Sequence, residues 1–372
     1  MKKINSILTT ITLTVLLAAC ADNKKATTTE PSLKEIFKDD FDIGTALSAD
    51  QIEEKDSIAD EVIRRNFNSL TPENIMKSMH IQPEWGTYDF TPADKLVEYS
   101  QKHGMSVVGH TLIWHSQLPQ FARNITSKDS LAEFFTNHIN TVASRYDRKI
   151  QGWDVVNEAL NEDGTMRESI FYKLLGEGYV TEAFRLTQEA APNTELYYND
   201  YNNEQPSKRA GCIELIKKIQ DAGVRIDGVG IQGHWHVGRI PLKEIEESIL
   251  EYSALGLKVM ITELDVEVLP RNFQGADVNQ RMTMKDDPAF NPYVDGLPDS
   301  VQQQLADDYA ALFELFLKHK DKITRVTFWG VNDGQSWLNG WPVPGRTNHP
   351  LLFDREFKPK PAFYKVIEAK KN

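Results

Sequence analysis

Trp153-Asp-Val-Val-Asn-Glu158 and Lys258-Val-Met-Ile-Thr-Glu263 decide the fold of this chain. Each is a short apolar run of strand-forming residues, and each ends in a carboxylate. An isolated buried charge costs many kcal/mol, so a carboxylate closing a buried strand needs a partner or a task. Working outward, strand-like runs recur at Phe41–Ala46, Ser69–Asn74, Ser106–Trp114, Gln151–Asn157, Glu195–Asn199, Gly228–Gly233, Lys258–Thr262 and Ile323–Trp329. Helical patterns lie between them at Ser130–Tyr146, Ile170–Glu189, Ser207–Ala222, Leu242–Leu255 and Ser300–Lys318. Strand alternating with helix implies a parallel sheet. Eight such units predict an α/β protein with a single (β/α)8 TIM barrel over residues 32–372. The alternative, an open doubly wound sheet, has fewer strands and a nucleotide fingerprint.

One apparent fingerprint is discounted. Gly228-Val-Gly-Ile-Gln-Gly233 matches G-x-G-x-x-G, but that motif has meaning only after a strand and at the opening of a helix. Here the run follows a helix end and itself reads as a strand. The net charge of −12 argues against a nucleic-acid partner, since phosphate binding needs a basic surface. Cys20 and Cys212 are the only cysteines, and with no C-x-x-C or Cys/His array neither a zinc site nor a cofactor is expected. His234 and His236 have strand spacing suited to metal ligands, but no third ligand is evident and no metal is expected. Cys212 falls in a helical pattern and reads as a small buried apolar residue.

The first nineteen residues read as a signal peptide. Lys2 and Lys3 precede an apolar run, Ile7 to Leu17, too short for an ordinary membrane span. The run ends Leu17-Ala18-Ala19-Cys20, which resembles the lipobox of bacterial lipoproteins. That resemblance implies export, lipidation at Cys20 and anchoring in the cell envelope, at the outer membrane or cell surface. An ordinary cleavage site after Ala19 is the plainer alternative. Residues 20–31 are polar and aperiodic and read as a tether.

In a barrel of this kind the functional groups gather where strands end at the C-terminal face. The ends here supply Glu73, Asn74 and Lys77, then His110, Trp114 and Gln117. Asn157, Glu158, Asn199 and Tyr201 follow, and then Gln232, His234, Glu263, Asp265, Trp329 and Trp337. Amides, carboxylates and indoles suit a polyhydroxylated ring, which needs hydrogen bonds at its edge and a flat apolar face beneath it. Two strand-end glutamates suit the paired carboxylates of a glycosidase.

Six stretches carry a more specific resemblance. They are Thr71-Pro-Glu-Asn-Ile-Met-Lys77, Gly109-His-Thr-Leu-Ile-Trp-His115, Trp153-Asp-Val-Val-Asn-Glu-Ala159, Gly230-Ile-Gln-Gly-His-Trp-His236, Ile261-Thr-Glu-Leu-Asp265 and Thr327-Phe-Trp-Gly-Val-Asn-Asp333. In this order, and over everything after the tether, they resemble glycoside hydrolase family 10, the endo-β-1,4-xylanases. The resemblance implies a retaining hydrolase of xylan and xylo-oligosaccharides, with Glu158 as acid/base and Glu263 as nucleophile. It implies that Asn157 bonds the 2-hydroxyl of the reacting sugar, and that His234, oriented by Asp265, bonds the nucleophile. Glu73, Asn74, Lys77, His110 and Gln117 resemble glycone ligands, and Trp114, Trp329 and Trp337 resemble aromatic walls. Asn199 and Gln232 are carried as further substrate ligands, and Tyr201 as an aglycone platform. Trp341 is read as loop packing.

Plainer readings stand beside these. Each glutamate alone could be a structural ion pair, since the chain has 42 Lys and Arg. A cellulase or mixed-linkage glucanase would need room for a hydroxymethyl on C5, against the bulk of Trp329, Trp337 and Gln117. A glycan-binding lipoprotein without catalysis would not need both carboxylates and His234. Residues 270–298 form a long loop beside Glu263, which shapes the aglycone side or is an inert excursion. Nothing in the composition calls for oligomerisation, and a monomer is expected.

Overall fold

The computed structural model describes residues 31–271, 276–281 and 288–371, and Ser32–Asn372 forms one unit. The expected signal peptide, Cys20 and nearly all of the tether lie outside the described residues. Among the described residues there are nine strands: β1 (Asp42–Leu47), β2 (Ser69–Pro72), β3 (Ser106–Trp114), β4 (Gly152–Asn157), β5 (Glu195–Asp200), β6 (Gly228–Ile231), β7 (His234–His236), β8 (Lys258–Glu267) and β9 (Ile323–Phe328). All pair in parallel. β1 to β6 follow one another, β6 pairs with β8, β8 with β9, and β9 returns to β1. The eight-stranded (β/α)8 barrel is therefore closed, and each of its eight strands is paired on both sides.

β7 was not expected, and β8 runs five residues past its expected end. The two departures have one cause. After β6 the chain turns through Gly233 at φ +83° and resumes as β7, which pairs with the far end of β8, His234 opposite Asp265. The strand–turn–strand course also removes any helix from the G-x-G-x-x-G run. The expected helix Ile170–Glu189 is two helices, Ile170–Leu175 and Tyr179–Ala190, broken at Gly176 with φ +85°. A left-handed residue cannot continue a right-handed helix, and glycine adopts that conformation at little cost.

The helices follow apolar stripes. In Lys128–Tyr146, Leu131, Phe134, Phe135, His138, Ile139 and Val142 are buried, the i, i+3, i+4 spacing of one face. Ser127 caps this helix by accepting from the amide of Ser130. Inside the barrel the two ends differ in chemistry. Toward the strand starts, Val108, Tyr197 and Met260 form their own apolar cluster, and Arg325 donates to the Met260 sulfur at 3.0 Å. Toward the strand ends the buried side chains are Asn157, Glu158, Asn199, Gln232, Thr262 and Glu263. Polar groups so deep must bond one another, and that requirement builds the site.

Candidate active site

Glu158 follows the last residue of β4 and Glu263 lies in β8, where its amide donates to the Gln232 carbonyl at 2.7 Å. Glu158 sits at φ +59°, in the left-handed region, and its amide donates to the carbonyl of Asn199 at 2.9 Å. Such a conformation costs a non-glycine residue about 1–3 kcal/mol and persists only where the surroundings hold it. Both carboxylates are buried, at 4% and 5% exposure. Glu158 accepts from the Trp114 indole at 2.9 Å on one oxygen and from the Gln232 amide at 3.1 Å on the other. Glu263 accepts from the Asn199 amide at 2.7 Å, and its second oxygen lies 3.2 Å from His234 Nε2.

One amide network joins the two acids. Asn199 Nδ2 also donates to Asn157 Oδ1 at 3.0 Å, Gln232 Nε2 reaches the same oxygen at 3.3 Å, and Thr262 donates to Asn199 Oδ1 at 2.6 Å. Behind Glu263, His234 Nδ1 meets Asp265 at 3.0 Å, and the other Asp265 oxygen accepts from the Trp337 indole at 2.8 Å.

Electrostatics separate the two carboxyls. Burial raises the pKa of Glu158, and the Gln232 hydrogen bond and the Arg167 charge offset it only in part. Burial would also raise Glu263, but the His234 hydrogen bond and the charges of His110, His234 and Lys77 bring it below the ordinary value. For His234 burial disfavours the cation, yet the charge and hydrogen bond of Asp265, with the bond to Glu263, lift it to about 10. An imidazolium then donates both ring N–H groups, one to each acid. The contacts of Glu263 thus favour its ionised form, whereas burial of Glu158 favours its protonated form.

A cleft opens over the pair. It is lined by Glu73, Asn74 and Lys77 from beyond β2, with His110, Trp114 and Gln117 from β3 and its loop. Lys77 donates to Asn74 at 3.1 Å and lies 4.7 Å from the centre of the Trp114 ring. Trp329, Trp337 and Trp341 line it as well, with Trp329 edge-on to His110 at 5.4 Å between ring centres. His110 is fixed through Nδ1 to Asp154 at 3.0 Å.

The glycosyl hydrolase family 10 model matches residues 32–369. The chain belongs to glycoside hydrolase family 10. It is 42% identical over 360 residues to endo-1,4-beta-xylanase A of Xylanibacter ruminicola, covering 95% of each chain. It is 41% identical over 340 residues to a beta-1,4-xylanase of Dictyoglomus thermophilum, covering 91% of each. Among solved structures, a family 10 endoxylanase from a sugarcane soil metagenome matches at a TM-score of 0.86 and 42% identity, over 91% of this chain and 99% of the other.

Within this family 10 barrel, most of the residues picked from strand ends meet at the cleft, but three do not line it. Asn199 is fully buried behind Glu263, with its amide spent on the network, so it orients the acids and does not face a ligand. Asp265 is likewise buried behind His234. Tyr201, expected as an aglycone platform, is 4% exposed. The Lys208 ammonium sits 3.7 Å from its ring centre, and its hydroxyl accepts from Arg167 at 2.9 Å. A ring covered by a cation does not offer that face to a sugar. Trp341, read as loop packing, does pack on Trp337 with ring centres 4.5 Å apart, but it also lines the cleft. Sequence reading missed Ala276, Val278, Arg281 and Gly340, which line the cleft as well. The long loop after β8 was the available signal, but its residues have no periodicity to say which of them turn inward. His236 is spent on backbone, 2.9 Å from the Leu269 carbonyl. Cys212 is buried and unpaired in the helix Pro206–Asp221.

Proposed function

We propose that this enzyme hydrolyses internal β-1,4-xylosidic bonds of xylan and xylo-oligosaccharides by double displacement with net retention. Glu263 is the nucleophile and Glu158 the acid/base. The observation that carries this reading is the opposite displacement of two buried carboxyls within one amide network. The xylanase names of the 41–42% identical relatives support the substrate.

In the first step a Glu263 oxygen attacks the anomeric carbon and the glycosidic C–O bond breaks. The Glu158 proton passes to the departing oxygen. Forming the ester removes the charge on Glu263, so the pKa of Glu158 falls and the anion becomes a base. It takes a proton from the incoming water, whose oxygen attacks the same carbon and releases Glu263. Two inversions give retention. Asn157, bonded between Asn199, Gln232 and Glu158, is placed to meet the 2-hydroxyl. Glu73, Asn74, Lys77, His110 and Gln117 grip the glycone, and Trp114, Trp329 and Trp337 wall it in. We further propose that residues 1–19 direct export and that lipid on Cys20 holds the enzyme at the cell envelope through the 20–31 tether.

Proton NMR of the first product tests the mechanism. The newly formed reducing end is expected as the β-anomer, and an initial α-anomer overturns retention. Reducing sugar released from xylan but not cellulose is expected. Release from cellulose at a similar rate favours the glucanase alternative, and release from neither favours the binding protein.

A further inference from the structure

Arg167 lies in the loop after β4, and its guanidinium touches three of the elements that build the cleft. Nε donates to the carbonyl oxygen of Glu158 itself at 3.1 Å. Nη2 donates to the Leu160 carbonyl at 3.2 Å and to the Tyr201 hydroxyl, beyond β5, at 2.9 Å. Nη1 reaches Asp277, in the loop after β8, at 3.3 Å. The other Asp277 oxygen accepts from the backbone and side-chain amides of Asn279, at 2.9 and 3.0 Å. Asn279 in turn accepts from Ser116, after β3, at 3.4 Å. The 276–281 segment, which supplies Ala276, Val278 and Arg281 to the cleft wall, is thereby tied to the loops of β3 and β4.

Glu158 needs such support. Its left-handed backbone has its amide committed to Asn199 and its carbonyl committed to Arg167. A planar guanidinium can donate to all four acceptors from one position, whereas a lysine ammonium offers three donors from one point.

We propose that Arg167 is a positioning residue. It locks the backbone of Glu158 and holds the 276–281 segment through Asp277, so that one side chain sets both the acid and the part of the cleft lining that this segment supplies. The inference rests on the assignment of Glu158 as the acid/base.

The charged and titratable groups facing Glu158 are Glu263 from β8, Lys77 beyond β2, Asp200 and Tyr201 from β5 and its loop, and Arg167. Lys77 and Arg167 favour its anion, while Glu263 and Asp200 favour its acid. Removing the Arg167 cation therefore strengthens proton binding at Glu158. The basic limb of kcat/KM, where the acid loses its proton, moves to higher pH.

The test uses Arg167→Met, Arg167→Lys and Asp277→Asn on xylan and on a dinitrophenyl xylobioside, whose leaving group departs without an acid. Arg167→Met is expected to lose about 10- to 100-fold in kcat on xylan, to lose less on the aryl substrate, and to shift the basic limb upward. Arg167→Lys keeps the limb near its place but loses kcat on xylan. Asp277→Asn raises KM for long xylo-oligosaccharides several-fold and leaves the limb unmoved. Equal losses on both substrates with an unmoved limb in Arg167→Met would reduce the residue to a structural prop and overturn the proposal. Should that variant not fold, wild-type kcat on xylan in Arg167→Lys, or wild-type KM in Asp277→Asn, overturns it instead. Glu158→Gln is measured alongside. If it keeps the basic limb, the acid assignment falls and takes the proposal with it. If it loses the limb while Arg167→Met matches the wild type, only the positioning role falls.

Discussion

Glu158 and Glu263 are the same residue type in nearly equal burial, and their neighbours alone make them different. Glu263→Ala is expected to abolish turnover on every substrate, because nothing remains to form the glycosyl ester. Glu158→Ala is expected to lose about 10²–10⁴-fold or more on xylan yet still form the intermediate from aryl xylobiosides with good leaving groups. Added azide, which needs no base, should then restore turnover as a β-azide product. Azide rescue of Glu263→Ala to a β-azide, with an α-azide from Glu158→Ala, would reverse the two roles. His234 supplies a pH test. Its hydrogen bond and charge favour ionised Glu263, so His234→Asn raises the nucleophile's pKa. Activity needs that group ionised, so the acidic limb of kcat/KM is expected to move to higher pH. An unmoved limb would mean that His234 does not tune the nucleophile. At this scale the sequence was legible in residue type and strand-end position. It did not reveal that Asn199 and Tyr201 are spent on neighbours, because that depends on contacts across β5 to β8 and to Arg167 and Lys208.

At the scale of elements, the close approach of the helix Pro206–Asp221 to the loop after β4 depends on Gly211. A Cβ there would lie 2.2 Å from the Gly164 carbonyl oxygen and 2.7 Å from its Cα, both backbone atoms. In an exposed helix Gly→Ala gains about 1 kcal/mol in propensity. Here overpacking against backbone, typically about 1–3 kcal/mol, outweighs that gain. Gly211→Ala is expected to lower the thermal midpoint while leaving kcat per folded molecule near the wild type. A raised midpoint would show that the loop yields freely. The same scale explains which elements were readable. Long helices with a buried stripe, such as Lys128–Tyr146, announce themselves by period. The three-residue β7 does not, since its existence depends on β8 continuing to Glu267 beside it.

At the scale of the whole molecule, closure brings residues distant in sequence together. Asp40, just before β1, has no side-chain exposure and is paired with Lys320, before β9, and Lys370, beyond the last helix. Both ends of the barrel domain are thus tied to one carboxylate. Among the described residues no helix is long and apolar enough to cross a membrane. The proposed lipid on Cys20 would place attachment in residues 1–31. The native protein should partition with membranes, and a chain starting at Ser32 should remain in the soluble fraction with full activity on xylan. If wild type and Cys20→Ala distribute equally into the soluble fraction, the lipid anchor is refuted.

What the sequence determined by itself was the alternation of eight buried strands with amphipathic helices, and the carboxylates, amides and indoles at the strand ends. Periodicity and residue type are local properties, and they survive in one dimension. The tertiary structure alone decided the course through Gly233 into β7, the burial of Asn199 and Asp265 behind the acids, and the inward turn of the 276–281 segment. It also decided the opposite displacement of the two glutamates. Those outcomes depend on distances between side chains from different strands, and desolvation and charge act through space with no regard for order along the chain.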